Sequence, residues 1–263
     1  MRNYNLSHLP ERPEKPRQKG VTMVMDKGLS IREAEDLIQV SGDYIDLIKF
    51  GFGTSMISKG FEEKIKIYQN NGIKVYLGGT LFEAFLVRKQ IDDYKRLIEK
   101  LKIDTVEVSD GSIVLNHDKK CELIADFAKN YTVLSEVGSK EAGIIVSPGK
   151  WKKMMANELQ AGSWKVIAEA RESGNVGIYR PSGNAHTMLI NQILAKIPSE
   201  SILWEAPQKS QQVWFIKFLG ANVNLGNIAP NEVIPLETLR IGLRGDTFFS
   251  FLPDEFQENK PIF

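Results

Sequence analysis

The feature that most limits what this chain can fold into is an alternation. Short apolar runs trade places with longer amphipathic stretches, about eight times in succession. Gly20–Met25 (ending at Asp26), Tyr44–Lys49, Ile73–Leu77, Thr105–Ser109, Thr132–Glu136, Trp164–Ala168, Ser201–Trp204 and Asn222–Leu225 read as strands. Helices are predicted over Ser30–Val40, Glu62–Asn71, Ile91–Leu101, Lys119–Asn130, Trp151–Ala161, Ala185–Ala195, Gln211–Leu219 and Asn231–Leu243. Local punctuation agrees: Ser30 with Glu33 makes a capping-box pattern, and Gly72 stands where a helix stops. Strict alternation demands parallel strands with the helices outside. Eight units close into a (β/α)8, or TIM, barrel, and 263 residues is near its usual size. An open doubly wound sheet would carry a Gly-x-Gly-x-x-Gly turn after its first strand; Met25-Asp-Lys-Gly-Leu29 is not one. The expected fold is therefore α/β: one barrel over residues 20–263, preceded by an extended, proline-containing arm over residues 1–19.

Composition narrows the function classes. The formal net charge is +1, so there is no electrostatic case for nucleic acid or an anionic membrane. No apolar run approaches the roughly 20 residues of a membrane span, and the polar N-terminus lacks the apolar core of a signal peptide. The single cysteine, Cys121, cannot form an internal disulfide. A cytoplasmic protein is expected. Barrels commonly associate, so a homo-oligomer is expected too, with the arm able to reach a neighbour.

In a barrel the chemistry projects from the C-terminal ends of the strands. Those ends read Asp26, Lys49, Gly78-Gly79-Thr80, Glu107, Ser109, Asp110, Glu136, Glu169, Glu205 and Asn224. So many carboxylates at one mouth repel one another unless offset by a hard divalent cation or by a ring of lysines and arginines. Lys49, Lys140, Arg171 and Arg180 are candidates for such a ring. The three histidines, His8, His117 and His186, show no paired metal spacing, which favours Mg²⁺ over Zn²⁺. Gly51, Gly53, Gly78 and Gly79 past strands two and three, and Gly226-Asn227 past strand eight, mark places where backbone N–H groups could meet a phosphate or carboxylate. Lys64–Lys74 reads as a solvated helix face, and Arg244-Gly-Asp246 as a helix-ending turn.

Several longer motifs resemble the phosphosulfolactate synthase family. They are Lys49-Phe-Gly-Phe-Gly-Thr-Ser55, Gly78-Gly-Thr-Leu-Phe-Glu83, Glu107-Val-Ser-Asp-Gly-Ser112, Ser135-Glu-Val-Gly138, Glu169-Ala-Arg-Glu-Ser-Gly174, Glu205-Ala-Pro-Gln-Lys-Ser-Gln-Gln212, Asn222-Val-Asn-Leu-Gly-Asn-Ile228 and Leu239-Arg-Ile-Gly-Leu-Arg-Gly-Asp-Thr247. The resemblance implies a barrel that adds sulfite to phosphoenolpyruvate with Mg²⁺, giving (2R)-phospho-3-sulfolactate, as in coenzyme M or sulfolactate biosynthesis. It also implies a lysine acid just after Ser135-Glu-Val-Gly138. The family pattern has two lysines there; this chain has Ser139-Lys140. The expected roles are then Lys140 as proton donor, with Lys49 as second candidate. Lys49, Gly78, Gly79, Ser109, Arg171 and Asn224 are expected to bind substrate, and Glu107, Glu136 and Glu169 to hold the metal. Two other readings stay open: another Mg²⁺-dependent lyase or aldolase on a phosphorylated anion, and a non-catalytic barrel acting in stress protection.

Overall fold

The computed structural model describes residues 3–138, 147–170 and 173–256. Eight parallel strands run in chain order: β1 (Thr22–Asp26), β2 (Leu47–Phe50), β3 (Lys74–Leu77), β4 (Thr105–Val108), β5 (Thr132–Val137), β6 (Lys165–Ala168), β7 (Ile202–Glu205) and β8 (Leu225–Ile228). Around them lie α1 (Ile31–Ser41), α2 (Phe61–Asn70), α3 (Gly79–Val87), α4 (Ile91–Lys100), α5 (His117–Phe127), α6 (Pro148–Gln160), α7 (Thr187–Leu194), α8 (Lys209–Leu219) and α9 (Val233–Arg240). The Ser30/Glu33 capping box forms as the sequence predicts. The fold is the expected barrel. Two details differ. The unit after β3 carries two helices, because Gly79–Val87 also winds into one. The eighth strand starts at Leu225, three residues later than its apolar pattern indicates.

The strands pair in the order β3-β2-β1-β8-β7-β6-β5-β4. Among the described residues β3 and β4 pack together without a backbone ladder. That seam is closed by side chains instead. The Gly79 N–H donates across it to Glu107 Oε1 at 2.6 Å. Behind it Phe82, Tyr94 and Phe127 meet edge to face, with ring centroids 5.7, 6.0 and 6.1 Å apart.

Side chains alternate across each strand, and the inward face changes character along the barrel axis. Low in the barrel it is apolar: Val21, Met23, Leu47, Tyr76, Leu134, Ile167 and Leu203 form one buried cluster. Two residues further along the strands, Leu47 gives way to Lys49, Leu134 to Glu136, Ile167 to Glu169 and Leu203 to Glu205, all buried. The outward faces, such as Val24, Ile48, Val106 and Trp204, pack on the helices in the larger core. Asp26 falls on this outward set. It accepts from Lys64 Nζ at 2.7 Å and Tyr68 Oη at 3.0 Å, with Lys64 fully buried. Lys64 is thus no solvated residue: helix α2 turns it inward to neutralise a carboxylate that the pleat directs away from the barrel mouth.

The N-terminal arm packs on the barrel that follows it. It folds back over the N-terminal end of its own barrel. Arg12 donates to Glu237 at 2.9 and 3.1 Å and to Asn222, and Arg17 pairs with Asp46 at 3.1 Å. Lys165 Nζ donates to the Gln18 carbonyl at 2.7 Å. The reason is local: this end of the barrel exposes carbonyls and acids that the arm's cations satisfy.

Candidate active site

The C-terminal end of the barrel opens into a cavity of about 810 Å³. At its base the Lys49 ammonium lies on the barrel axis, 2.8 Å from Glu107, 3.8 Å from Glu136 and 3.8 Å from Glu205. Burial works against its charge, but Glu107, Tyr76, Glu136 and Glu205 outweigh that and hold the ammonium well above the ordinary lysine range. One ammonium cannot neutralise three carboxylates. It sits nearest Glu107, so Glu205 is left under-compensated. Burial, with help from Glu136 and Glu107 and against Lys49 and the Ala170 N–H, pushes the Glu205 carboxyl up to about 7. Glu169 also lines the cavity and is buried.

The carboxylates are held by backbone. Glu107 accepts from the Gly79 N–H, and Glu205 from the Ala170 N–H at 2.9 Å. A Cβ at Gly79 would come within 2.6 Å of Glu107 Oε1, so only glycine lets helix α3 begin this close to β4. From the next turn of α3, Glu83 accepts from the Ser109 hydroxyl and from the N–H groups of Gly111 (3.0 Å) and Ser112 (2.7 Å). It thereby fixes the loop that carries Asp110, Ile113 and Val114 to the cavity wall. A second buried ion, Lys120 of α5, lies 2.9 Å from Asp110 and 2.9 Å from Glu158, and donates to the Glu136 carbonyl at 2.5 Å.

The expected site residues divide as follows. Lys49, Gly78, Gly79, Glu107, Glu136 and Glu169 come together on the cavity wall. Ser109 is fully buried and its hydroxyl is committed to Glu83, a structural contact in place of the expected substrate contact. Asn224 is a correction. Because β8 begins only at Leu225, Asn224 lies before the strand, at the opposite end of the barrel. There it accepts from the Val21 N–H and donates to the Glu200 and Ile202 carbonyls. Lys140 and Arg171 lie outside the described residues. Sequence reasoning missed Glu83 and Lys120, which act through backbone and leave no mark at a strand end. Asn227 is marked in the sequence, with Gly226, for its backbone alone, and the residue lies on the cavity wall.

The residues suited to a hard cation are Glu107, Glu136 and Glu169. Buried carboxylates outnumber the described ammonium at the cavity base, and their oxygens are the donors such an ion prefers. Among the described residues, however, no three acidic, histidine or cysteine groups already converge as a metal site. Lys49 stands between Glu107 and Glu136.

Comparison with known proteins gives a consistent picture. The sequence model of the (2R)-phospho-3-sulfolactate synthase (ComA) family matches residues 10–246. A phosphosulfolactate synthase of Methanothermobacter thermautotrophicus is 43% identical over 244 residues, 90% of this chain and 95% of the relative. One of Bacillus subtilis is 40% identical over 252 residues, covering 95% of this chain and all of the relative. Among solved structures, 3-hexulose-6-phosphate synthase of Salmonella typhimurium superposes with a TM-score of 0.54 at 13% identity, over 85% of this chain and 100% of that one. The last shows a shared fold alone.

Proposed function

The chain belongs to the (2R)-phospho-3-sulfolactate synthase family, and we propose that it joins sulfite to phosphoenolpyruvate to give (2R)-phospho-3-sulfolactate, a carbon–sulfur lyase reaction. The observation that supports this reading most directly is the buried Lys49 ammonium at the base of an acid-lined cavity. The sulfur lone pair forms the S–C3 bond, and the C2–C3 π pair moves onto the substrate carboxylate as an aci-carboxylate. Lys49 is permanently charged and already in place, so it stabilises that developing charge without reorganising. C2 then takes a proton from one face. Lys140 is the proposed donor. Lys49, held so far above its ordinary range, suits charge stabilisation better than proton release. Arg171 is the proposed phosphate and carboxylate contact; the Gly78 and Gly79 N–H groups are already given to the Phe50 carbonyl and to Glu107, so these glycines shape the cavity wall.

Mg²⁺ is the proposed cofactor, with Glu107, Glu136 and Glu169 as the residues that would hold it, directly or through water. When bound it would add positive charge beside the substrate carboxylate. The same reading places the chain in the cytoplasm with small anions as its partners. Association into a homo-oligomer belongs to it too, and the exposed apolar side chains of Met56, Ile57 and Val114 support that.

The test is turnover: phosphoenolpyruvate loss, followed with sulfite and Mg²⁺ present. Lys49→Met should lower kcat/KM by about 10² or more, the scale of one removed oxyanion-stabilising donor, in a protein that still folds. A folded parent chain without sulfite-dependent turnover overturns the reading.

A further inference from the structure

Along β8, Leu225 packs in the outer core and Gly226 faces the axis. A Cβ on Gly226 would stand 2.9 Å from Met23 Cε and 3.4 Å from Leu203 Cγ, both in the inner apolar cluster. Strand alternation then directs Asn227 outward, towards the helices. Asn227 instead lines the cavity with Lys49, Glu169 and Glu205. Two backbone features turn it. The β1–β8 ladder slips register between Thr22 and Val24, and a bulge re-aims the side chain beside it. Asn227 itself has φ 56°, the left-handed region that few non-glycine residues adopt. Its side chain ends in a polar atom with no partner: the residue is 8% exposed and Oδ1 meets no donor in the protein. Buried amides are ordinarily hydrogen-bonded, so backbone strain and an unmet polar atom at one cavity-wall residue point to a ligand.

We propose that the Asn227 carboxamide binds the oxygens of the sulfite nucleophile; this rests on the reaction proposed above. Among the described residues lining the cavity, Lys49 is the cation, and the substrate carboxylate claims it. A second anion on the β7–β8 wall meets Glu205, and Asn227 is the neutral side chain on that wall that can donate to it. Rotated about its last torsion, a carboxamide presents two N–H groups in place of its oxygen. Donors on the sulfite oxygens leave the sulfur lone pair free to attack C3. Asn227 is on this account a binding residue that sets nucleophile specificity.

The test uses Asn227→Gly and Asn227→Asp in the full chain. Steady-state kinetics are varied separately in sulfite and phosphoenolpyruvate, and calorimetry follows sulfite binding alone. Asn227→Gly keeps the left-handed backbone without strain, so its thermal midpoint should equal or exceed the parent's. Its KM for sulfite should rise about tenfold or more, the scale of a lost hydrogen bond to a charged group, with KM for phosphoenolpyruvate within about twofold. Asn227→Asp sets a carboxylate against the anion and should raise KM for sulfite further. An unchanged sulfite KM, or a rise confined to phosphoenolpyruvate, overturns the proposal. A merely structural asparagine would lower the midpoint and leave the two KM values in proportion. If the parent chain makes no product, the reaction reading fails, and calorimetry still decides. Sulfite binding that is lost in Asn227→Gly sustains the proposal, and no sulfite binding to the parent chain overturns it.

Discussion

Replacing Lys120 by methionine isolates what one buried ion contributes to this site. The ammonium is fully buried, 2.9 Å from Asp110 and 2.9 Å from Glu158, and it donates to the Glu136 carbonyl at 2.5 Å. Burial opposes its charge, but Glu158 and then Asp110 outweigh that and hold it above the ordinary lysine range. Lys120→Met keeps the volume and leaves the Glu158 side chain, itself fully buried, without its cation. Breaking a buried pair from one side costs about 3–5 kcal/mol. At roughly 2–4 °C per kcal/mol for a chain of this size, about 4 kcal/mol lowers the thermal midpoint by about 8–16 °C. Urea unfolding and calorimetry measure it. The double variant Lys120→Met/Glu158→Leu removes the stranded carboxylate as well. It should recover most of the loss, because well-packed apolar side chains replace a buried pair at little or no net cost. Both variants should still lose activity, since each frees the Glu136 carbonyl and the Asp110 loop. A single variant within about 1 kcal/mol of the parent, or a double variant no more stable than the single, would refute the reasoning that an uncompensated buried charge is the source of the loss.

Two further outcomes follow from the same geometry. Glu205 holds its proton up to about pH 7 in the folded chain against an ordinary value of 4.5; the folded state therefore binds more protons across that window, and stability falls as pH rises through it. Glu205→Gln should melt higher than the parent at pH 8 and flatten the profile between about 4.5 and 7, and a profile that keeps its slope there would assign the titration elsewhere. Gly79→Ala forces a methyl group within 2.6 Å of Glu107 Oε1; it should cost about 1–3 kcal/mol, as overpacking does, and displace Glu107 enough to lower kcat/KM, whereas parent-like activity would show that α3 can retreat from β4 freely.

Much of this architecture is legible in the chain because two periodicities state it. Alternation fixes which end residues face inward: Leu47 and Lys49, Leu134 and Glu136, Leu203 and Glu205 are each two apart and share a face. The same parity explains Asp26, which looks like a rim carboxylate but follows the inward Met25 and so turns out to Lys64. Where periodicity is weak, the reading slips. Gly79–Val87 is apolar nearly all round, with no polar stripe to announce a helix. Strand β8 reads Leu-Gly-Asn-Ile, poor in β-branched residues, while Asn222-Val-Asn just before it mimics alternation and is used as hydrogen-bonding groups under the barrel. Asn227 is marked in the sequence only for its backbone, because a register slip and one positive φ, neither written in hydropathy, bring its side chain to the cavity.

The seam between β3 and β4 has a topological meaning. The rings of His8 and Phe256 meet at 5.4 Å, so the two described ends of the chain lie together. Traced as a circle joined at those rings, the strands run β4-β5-β6-β7-β8-β1-β2-β3, and every ladder then links neighbours along the circle. Among the described residues the circle's one joint without a ladder is β3–β4, whose connection passes through the exposed Lys89 turn between α3 and α4. The barrel is thus a simple up-the-axis winding whose beginning in space is β4, while its beginning in sequence, β1, sits in the middle of the strip.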